Sequence, residues 1–403
     1  MLGKIELEEG QQILLKRINP LQQESVPTID ALDRVAYQDL YANHDLPPYH
    51  QSAVDGYAVH GGEEEGMLRL LKPQSTKTIQ SMVLKSGEAV AVFTGGPIPE
   101  GTEGVILQEH VEKTEEGIAF SGEIVPGSNI KLPGEDIRHG ELLIPKGTCL
   151  TPGHIGLLAA FGYQEIPVFG RPRVAVLSIG TQIVSHNMVP VAGETRDSNG
   201  PLLASFVKQE GGQVVALEVI SGYKIDDLKE KLLKLFQEVD LVIITGGTYA
   251  GTRGEARLLL RELGAQMLCE EVPLKPGGHN AAALWENTPI ISLSGNPSAS
   301  LVGFELLAMP VIRALQGINP YPKRISAICV NTFIKKRSFR YFVRGYVECT
   351  EEGWTVEILP GQKPSMMRPF IKCNALIDLP PGDDPVNEGD KVSVILIGSI
   401  LKV

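Results

Sequence analysis

The spacing of apolar and polar positions changes character three times along the chain. In residues 1–45, Leu7, Ile13, Leu14, Leu15 and Ile18 make a partly apolar face in an otherwise polar stretch, which predicts a helix. Residues 46–130 alternate short Val/Ile/Leu runs with Gly and Pro, and GEAVAVF, GVILQEHV and GIAFSGEIV read as strands of an all-β unit. Residues 131–168 carry a turn-rich stretch and then TPGHIGLLAAFG, a predicted helix with Thr151 as its cap and Pro152 in its first position.

From Pro172 the runs become fully apolar and alternate with helical periods. VAVLSIG, VVALEVI, LVIITGG and PIISLSG are predicted strands. The helices between them are LLASFVKQEGG, a segment with Ile225, Leu228, Leu232, Leu235 and Phe236 on one face, and ARLLLREL; the long SASLVGFELLAMPVIRAL follows the last strand. Strand–helix alternation with apolar strands predicts a parallel sheet covered on both faces, a doubly wound α/β domain over residues 169–322. Residues 323–403 return to strands (ISAICVNTF, YFVRGYVEC, GWTVEILP, ALIDLP, KVSVILIG), a small β domain of barrel or sandwich type. The fold class expected is multidomain, α/β plus β.

Composition narrows this picture. A chain of 403 residues exceeds one compact core. The abundance of Gly (43) and Pro (28) suits short strands and tight turns more than a helical bundle. No stretch reaches the roughly 18 continuous apolar residues of a membrane helix, and MLGKIELEEGQQ lacks the apolar centre of a signal peptide. Cys149, Cys269, Cys329, Cys349 and Cys373 form neither a metal knuckle nor a CxxC pair, so reduced thiols and a cytoplasmic location are expected. A net charge of −11 with no run of Lys or Arg argues against nucleic acid as the main partner. It leaves room for a locally bound small anion.

The chemistry is expected at the carboxyl ends of the α/β strands. Three strands end alike, in Gly180-Thr181-Gln182, Gly246-Gly247-Thr248 and Ser294-Gly295-Asn296-Pro297. Glycines let the backbone turn and approach a ligand, while Asn296 as cap and Pro297 at the first helical position would present free N–H groups to an anion. Asp197-Ser198-Asn199 precedes a helix and serves either as a plain cap or as a set of ligand contacts. Lys275, in PLKPGG, is either a phosphate or oxyanion contact or a solvated lysine. In the N-terminal half, PPYHQSAVDGYA, FTGGPIPEG and PGED are ordered loops bearing Asp55, Thr94 and Asp136. His44, His50, His60 and His110 share no metal-ligand spacing.

At these segments the chain resembles the molybdopterin molybdenumtransferases of MoeA type, relatives of the gephyrin C-terminal domain. PPYHQSAVDGYAV is similar to the signature P-P-F-D-x-S-A-M-D-G-Y-A, and VFTGGPIPEGTEGVILQE to F-T-G-A-P-x-P-x-G-A-D-x-V. GEDIRHGELLIPKGTCLTPGHIGLLAAFG, RVAVLSIG, ETRDSNG, DLVIITGG, PLKPGG and SGNPSASLVGFELLAMPVIRAL follow in the family's order, so the likeness spans essentially the whole chain. It implies an elongated N-terminal linker domain (residues 1–45 and 131–168), an inserted β lid (46–130), a molybdopterin-binding, MoaB/MogA-like α/β domain (169–322) and a C-terminal β domain (323–403). It implies a cytoplasmic homodimer, magnesium, and insertion of molybdate into adenylylated molybdopterin with release of AMP. Other cofactor-biosynthesis proteins are implied as partners; no membrane or nucleic acid is.

Carried over residue by residue, Asp55, Thr94 and Asp136 take the catalytic positions of lid and hinge. Gly180, Asp197, Asn199, Gly246, Gly247, Lys275, Gly295, Asn296 and Pro297 take the nucleotide and pterin end of the site. Arg344 and Ser365 match groups near molybdate. The metal ligands stay unknown, because Thr181, Gln182 and Gly254 stand where the family places carboxylates. Tyr249, Gly278, Ser294 and His50 depart from the pattern as well. A second reading keeps the fold and the binding of a pterin nucleotide or partner protein but drops metal insertion.

Overall fold

A computed structural model describes residues 5–60, 65–221, 225–247, 255–335, 339–382 and 384–398. The chain divides into two compact units. One comprises residues 38–146 and 151–165, the other residues 1–37, 147–150 and 166–403.

The smaller unit is built on a six-stranded sheet in the order Gly104–Leu107, Gly56–Val59, Glu88–Val92, Glu65–Leu71, Ile118–Ser121, Val111–Lys113. Its strands are short and alternate faces, so Tyr57 and Val59 enter one core with Leu68 and Ile118. Ala58 enters the other with Val90, Val92 and Val105. The helix Pro152–Ala160 begins as its sequence predicts. Thr151 Oγ1 accepts from the His154 amide, and His154 Nδ1 accepts from the Thr151 amide, which closes a reciprocal cap.

The larger unit holds the α/β sheet, in the order Gln213–Ile220, Arg173–Ile179, Leu241–Gly246, Thr288–Leu293, Ala281–Trp285, Gln266–Cys269. Its apolar strands feed two cores. Val174, Val176, Leu241, Ile243, Ile291 and Leu293 face the long C-terminal helix, while Ala175, Leu177, Val242, Ile244 and Ile290 face Leu232, Phe236 and Leu260. Both faces are covered, as expected. The sheet is not wholly parallel, however: the Ala281–Trp285 strand pairs antiparallel with Thr288–Leu293, and Gln266–Cys269 antiparallel with Ala281–Trp285. A two-residue turn at Glu286-Asn287, with Glu286 at φ 51°, joins Trp285 to Thr288. So short a connection permits only an antiparallel return. On the amphipathic helix Ile225–Glu238, Leu232 and Phe236 are buried as predicted, and the side chains of Ile225 and Leu228 lie outside the described residues.

The helix Leu7–Leu15 docks on this unit through Leu7 and Leu14, and Gln11 Nε2 donates to the Leu306 carbonyl at 2.7 Å. The helical stretch Pro297–Leu315 is the one described helix long and apolar enough to cross a membrane, and it is buried in the core. Its middle turn, Phe304–Ala308, is a π-helix that contains the buried Glu305.

The C-terminal strands close into a barrel, not a sandwich. Arg340–Thr350 pairs with Gly353–Ile358 over its second half and with Ala375–Leu379 over its first, while Arg324–Cys329 and Lys391–Leu396 complete the ring. The Leu274–Lys275 segment leaves the α/β sheet and pairs in parallel with Arg340-Tyr341 at the barrel edge.

Candidate functional site

Strands Arg173–Ile179, Leu241–Gly246 and Thr288–Leu293 are parallel neighbours, so their carboxyl ends share one edge. Chain order reverses at Arg173–Ile179, which has a strand on either side; such a switch point opens a crevice for ligand. The glycine turns there are packed backbone to backbone. Gly246 sits at φ +86°, and a Cβ on it would lie 2.3 Å from the Ile179 carbonyl oxygen. A Cβ on Gly295 would lie 3.3 Å from the Gly246 Cα. Gly247 is left-handed as well, while the Gly180 amide donates to Ile220 O at 3.2 Å. Thr248, Tyr249 and Gly254 fall outside the described residues, as does the side chain of Glu255.

Buried side chains tie these turns together. Asp197 accepts from Ser178 Oγ at 2.7 Å and from the Gly200 amide at 2.9 Å, so its carboxylate does the capping where Ser198 makes no side-chain cap. Asn199 Nδ2 donates to Thr245 Oγ1 at 3.0 Å and to Gly295 O at 2.9 Å. Asn199 Oδ1 and Ser298 Oγ are buried without an intramolecular partner, an arrangement that a bound ligand or water would relieve.

The expected anion cradle at the start of Pro297–Leu315 is partly closed. Asn296 holds the cap position and Pro297 the first helical one, yet the Asn296 side chain makes no capping bond. Its carbonyl accepts from Ala299 and Ser300, and the Ser298 amide donates to Pro364 O at 3.2 Å. A loop of the barrel thus takes up the helix N-terminus.

Beside this turn lies a cavity of about 500 Å³ between the α/β sheet edge and the barrel. Ser294, Asn296 and Ala299 form one wall, Lys275 to His279 another, and Phe333, Phe339, Tyr341 and Phe342 a third. Its size and mix of apolar wall with few polar groups suit a small-molecule site. Lys275 is half-buried, and its Nζ sits 4.5 Å from the centroid of the Phe339 ring. His279 Nδ1 and Arg257 Nη1 each lie 3.7 Å from Glu271 Oε1, and Arg257 donates to His279 O at 2.9 Å, so an ion pair sits near that rim.

Arg344 does not reach this cavity. It is 1% exposed, and its guanidinium donates to Gln362 Oε1 and to the Gly361 carbonyl. Burial pushes its pKa down to about 10. Gln362 and Pro364 line the cavity in its place, and Ser365 is exposed next to them. Burial follows from position, since Arg344 lies mid-strand between Val343 and Gly345 in the closed barrel.

In the smaller unit two expected residues, 39 positions apart, meet. Asp55 Oδ1 accepts from the Thr94 amide at 2.7 Å and from Thr94 Oγ1 at 3.0 Å. These bonds, the backbone one first, hold the Asp55 carboxyl below its ordinary pKa. Asp136 is exposed and lines a separate 430 Å³ cleft with Leu46, Pro47, Gln51, Lys131 and Glu135.

Comparisons with known proteins agree along the whole length. Residues 5–162 match the MoeA N-terminal region (domain I and II), residues 175–314 a probable molybdopterin binding domain, and residues 326–397 the MoeA C-terminal region (domain IV). The chain belongs to the MoeA family of molybdopterin molybdenumtransferases. It is 28% identical over 395 residues to the molybdopterin molybdenumtransferase of Staphylococcus aureus, covering 94% of this chain and 93% of that protein. With the Staphylococcus epidermidis protein it shares 28% over 403 residues, 98% and 96% of the two chains. Its fold is similar to that of the molybdopterin biosynthesis MoeA protein of Pyrococcus horikoshii, at TM-score 0.83 and 26% identity over 98% of this chain and all of the other.

A MoeA-family site invites a test for a hard cation. Among the described residues no three His, Cys, Asp or Glu side chains cluster as metal ligands. Thr181 and Gln182 are exposed and neutral, and both Asp197 oxygens are engaged. The described side chains alone therefore make no closed magnesium site; that ion is usually held by one or two carboxylates beside substrate phosphates.

Sequence reasoning missed Asn280, Gln362 and the aromatic wall of this MoeA cavity. Asn280 is 2% exposed and follows the glycines of the Lys275 loop. A polar residue entering the alanine-rich strand Ala281–Trp285 was the available signal. Gln362 is 18 positions from Arg344, and nothing local in the sequence links the two.

Proposed function

We propose that this chain inserts molybdate into adenylylated molybdopterin, with release of AMP. The observation that carries this reading is the 500 Å³ cavity in which Lys275, seated on Phe339, faces the Ser294–Asn296 turn. Lys275 supplies positive charge to the phosphate or molybdate oxygens, and the turn orients them. The apolar wall of Val272, Pro273, Phe333 and Phe342 lowers the local polarity and so strengthens that attraction. Purified protein given adenylylated molybdopterin and molybdate should release AMP, and Lys275→Ala should slow this about tenfold, the loss of one charged contact. An unaltered rate would remove Lys275 from the site.

The four-part division at residues 45, 130, 168 and 322 is proposed from the resemblance; the change from the six-stranded sheet of the smaller unit to the α/β sheet and then to the barrel is consistent with its later parts. A cytoplasmic location rests on the dispersed cysteines, and a homodimer, with Asp55, Thr94 and Asp136 of one subunit serving the α/β site of the other, rests on the resemblance. So do other cofactor-biosynthesis proteins as partners. Magnesium dependence weaker than in ordinary members rests on Thr181, Gln182 and Gly254.

A further inference from the structure

Two loops line the Lys275 cavity, and one buried side chain joins them. The first loop runs from Lys275 to Asn280, the second is the turn Ser294–Asn296. The Ser294 amide donates to Asn280 Oδ1 at 2.9 Å, and Asn280 Nδ2 donates to the Ala299 carbonyl at 3.3 Å. The Asn280 amide itself donates to Gly277 O at 2.9 Å, which closes the first loop on itself. One carboxamide therefore holds the end of strand Thr288–Leu293, the first turn of the long helix and the lysine loop in a single register.

Room for this side chain is made by two glycines. A Cβ on Gly303 would lie 2.3 Å from Asn280 Nδ2, and one on Gly277, at φ +107°, would lie 2.7 Å from the same atom. Asn280 is 2% exposed, so these bonds compete little with water. On the far side, Asn199 grips the same turn through Gly295 O. The turn is clamped from two directions, and the Asn280 clamp alone also carries the Lys275 loop.

We propose that Asn280 is the positioning residue that sets Lys275 against the Ser294–Asn296 turn, and so controls how tightly the cavity holds an oxyanion. The proposal rests on the reading of this cavity as the substrate site. Loss of the carboxamide frees the lysine loop from the helix start. A misplacement of about 1 Å in such a site can lower its effectiveness by as much as a hundredfold.

Calorimetric titrations of the full-length protein with molybdate and, separately, with AMP test this in wild type, Lys275→Ala, Asn280→Ala, Asn280→Leu and the Lys275→Ala/Asn280→Ala double variant. Asn280→Leu keeps the bulk and loses the bonds. A residue that only fills space would keep full affinity in the leucine variant, whereas a positioning residue would lose about tenfold in both. The double variant should bind no more weakly than the weaker single one, because Asn280 acts through Lys275. Wild-type affinity in Asn280→Leu, or additive losses in the double variant, overturns the proposal and leaves the site reading intact. Wild-type affinity in Lys275→Ala overturns the site reading, and this proposal with it. If Asn280→Ala and Asn280→Leu do not fold, Asn280→Asp keeps the acceptor for Ser294 and loses the donor to Ala299; it then carries the same comparison.

Discussion

A single carboxyl group shows how far burial can change chemistry. Glu305 lies in the π-turn of the long helix at 5% exposure, and burial, reinforced by Glu210 and opposed by Arg313, pushes its pKa up to about 8. Between the ordinary carboxyl range, about 4.3, and about 8 the folded chain holds a proton that the unfolded chain releases. Stability therefore falls as pH rises through that window and levels off above it. Glu305→Gln should raise the melting temperature above about pH 8 and change it little near about pH 4; an equal change at both would place the proton elsewhere. Residue identity also governs the cation question. If the neutral Thr181 and Gln182 weaken a magnesium site, AMP release should respond little to magnesium. Thr181→Asp with Gln182→Glu and Gly254→Asp should then raise the rate non-additively, since the new groups would share one ion. Fast, tightly magnesium-dependent release by the wild type would show that other ligands suffice.

At the scale of elements, the site depends on close approach between strand ends. Gly246 belongs to an apolar strand ending, but its φ of +86° and the carbonyl of Ile179 leave no volume for a methyl group. Gly246→Ala should destabilise the protein by about 3 kcal/mol in urea unfolding, from overpacking against rigid backbone. It should also shift the Gly295 turn and weaken AMP binding. A loss in stability with unchanged affinity would separate the sheet edge from the site. The helix start offers the opposite case. Its cap position and proline read as an anion cradle, yet the Pro364 carbonyl satisfies the Ser298 amide. Lys275 lines the cavity beside it.

At the scale of the molecule, the expected site residues fall into two groups, catalytic and ligand-binding. Asp55, Thr94 and Asp136 lie in the unit of residues 38–146 and 151–165, while Lys275, Asn199 and the glycine turns lie in the other. A shared site in a homodimer would use both. Light scattering at micromolar concentration should then give twice the 43.6 kDa chain mass, and dilution to monomer should abolish AMP release. A monomer with full activity would end the shared-site proposal.

The sequence by itself determined what local pattern encodes. Fully apolar strands between helical periods demand a sheet covered on both faces, and Val174 and Ala175 duly enter opposite cores. Thr151 and Pro152 specify a helix start because capping involves only near neighbours. The ordered motifs gave the family, and Asp55 and Thr94 came from separate motifs. Only the tertiary structure decided what those residues touch. It paired Asp55 with Thr94 across 39 positions, sank Arg344 beneath Gln362, and placed Asn280 where it binds both Ser294 and Ala299. Closure of the barrel was likewise settled by which strands meet. Contacts of this kind join segments far apart in the chain, and no periodicity records them, because a side chain's partner depends on how the whole chain packs.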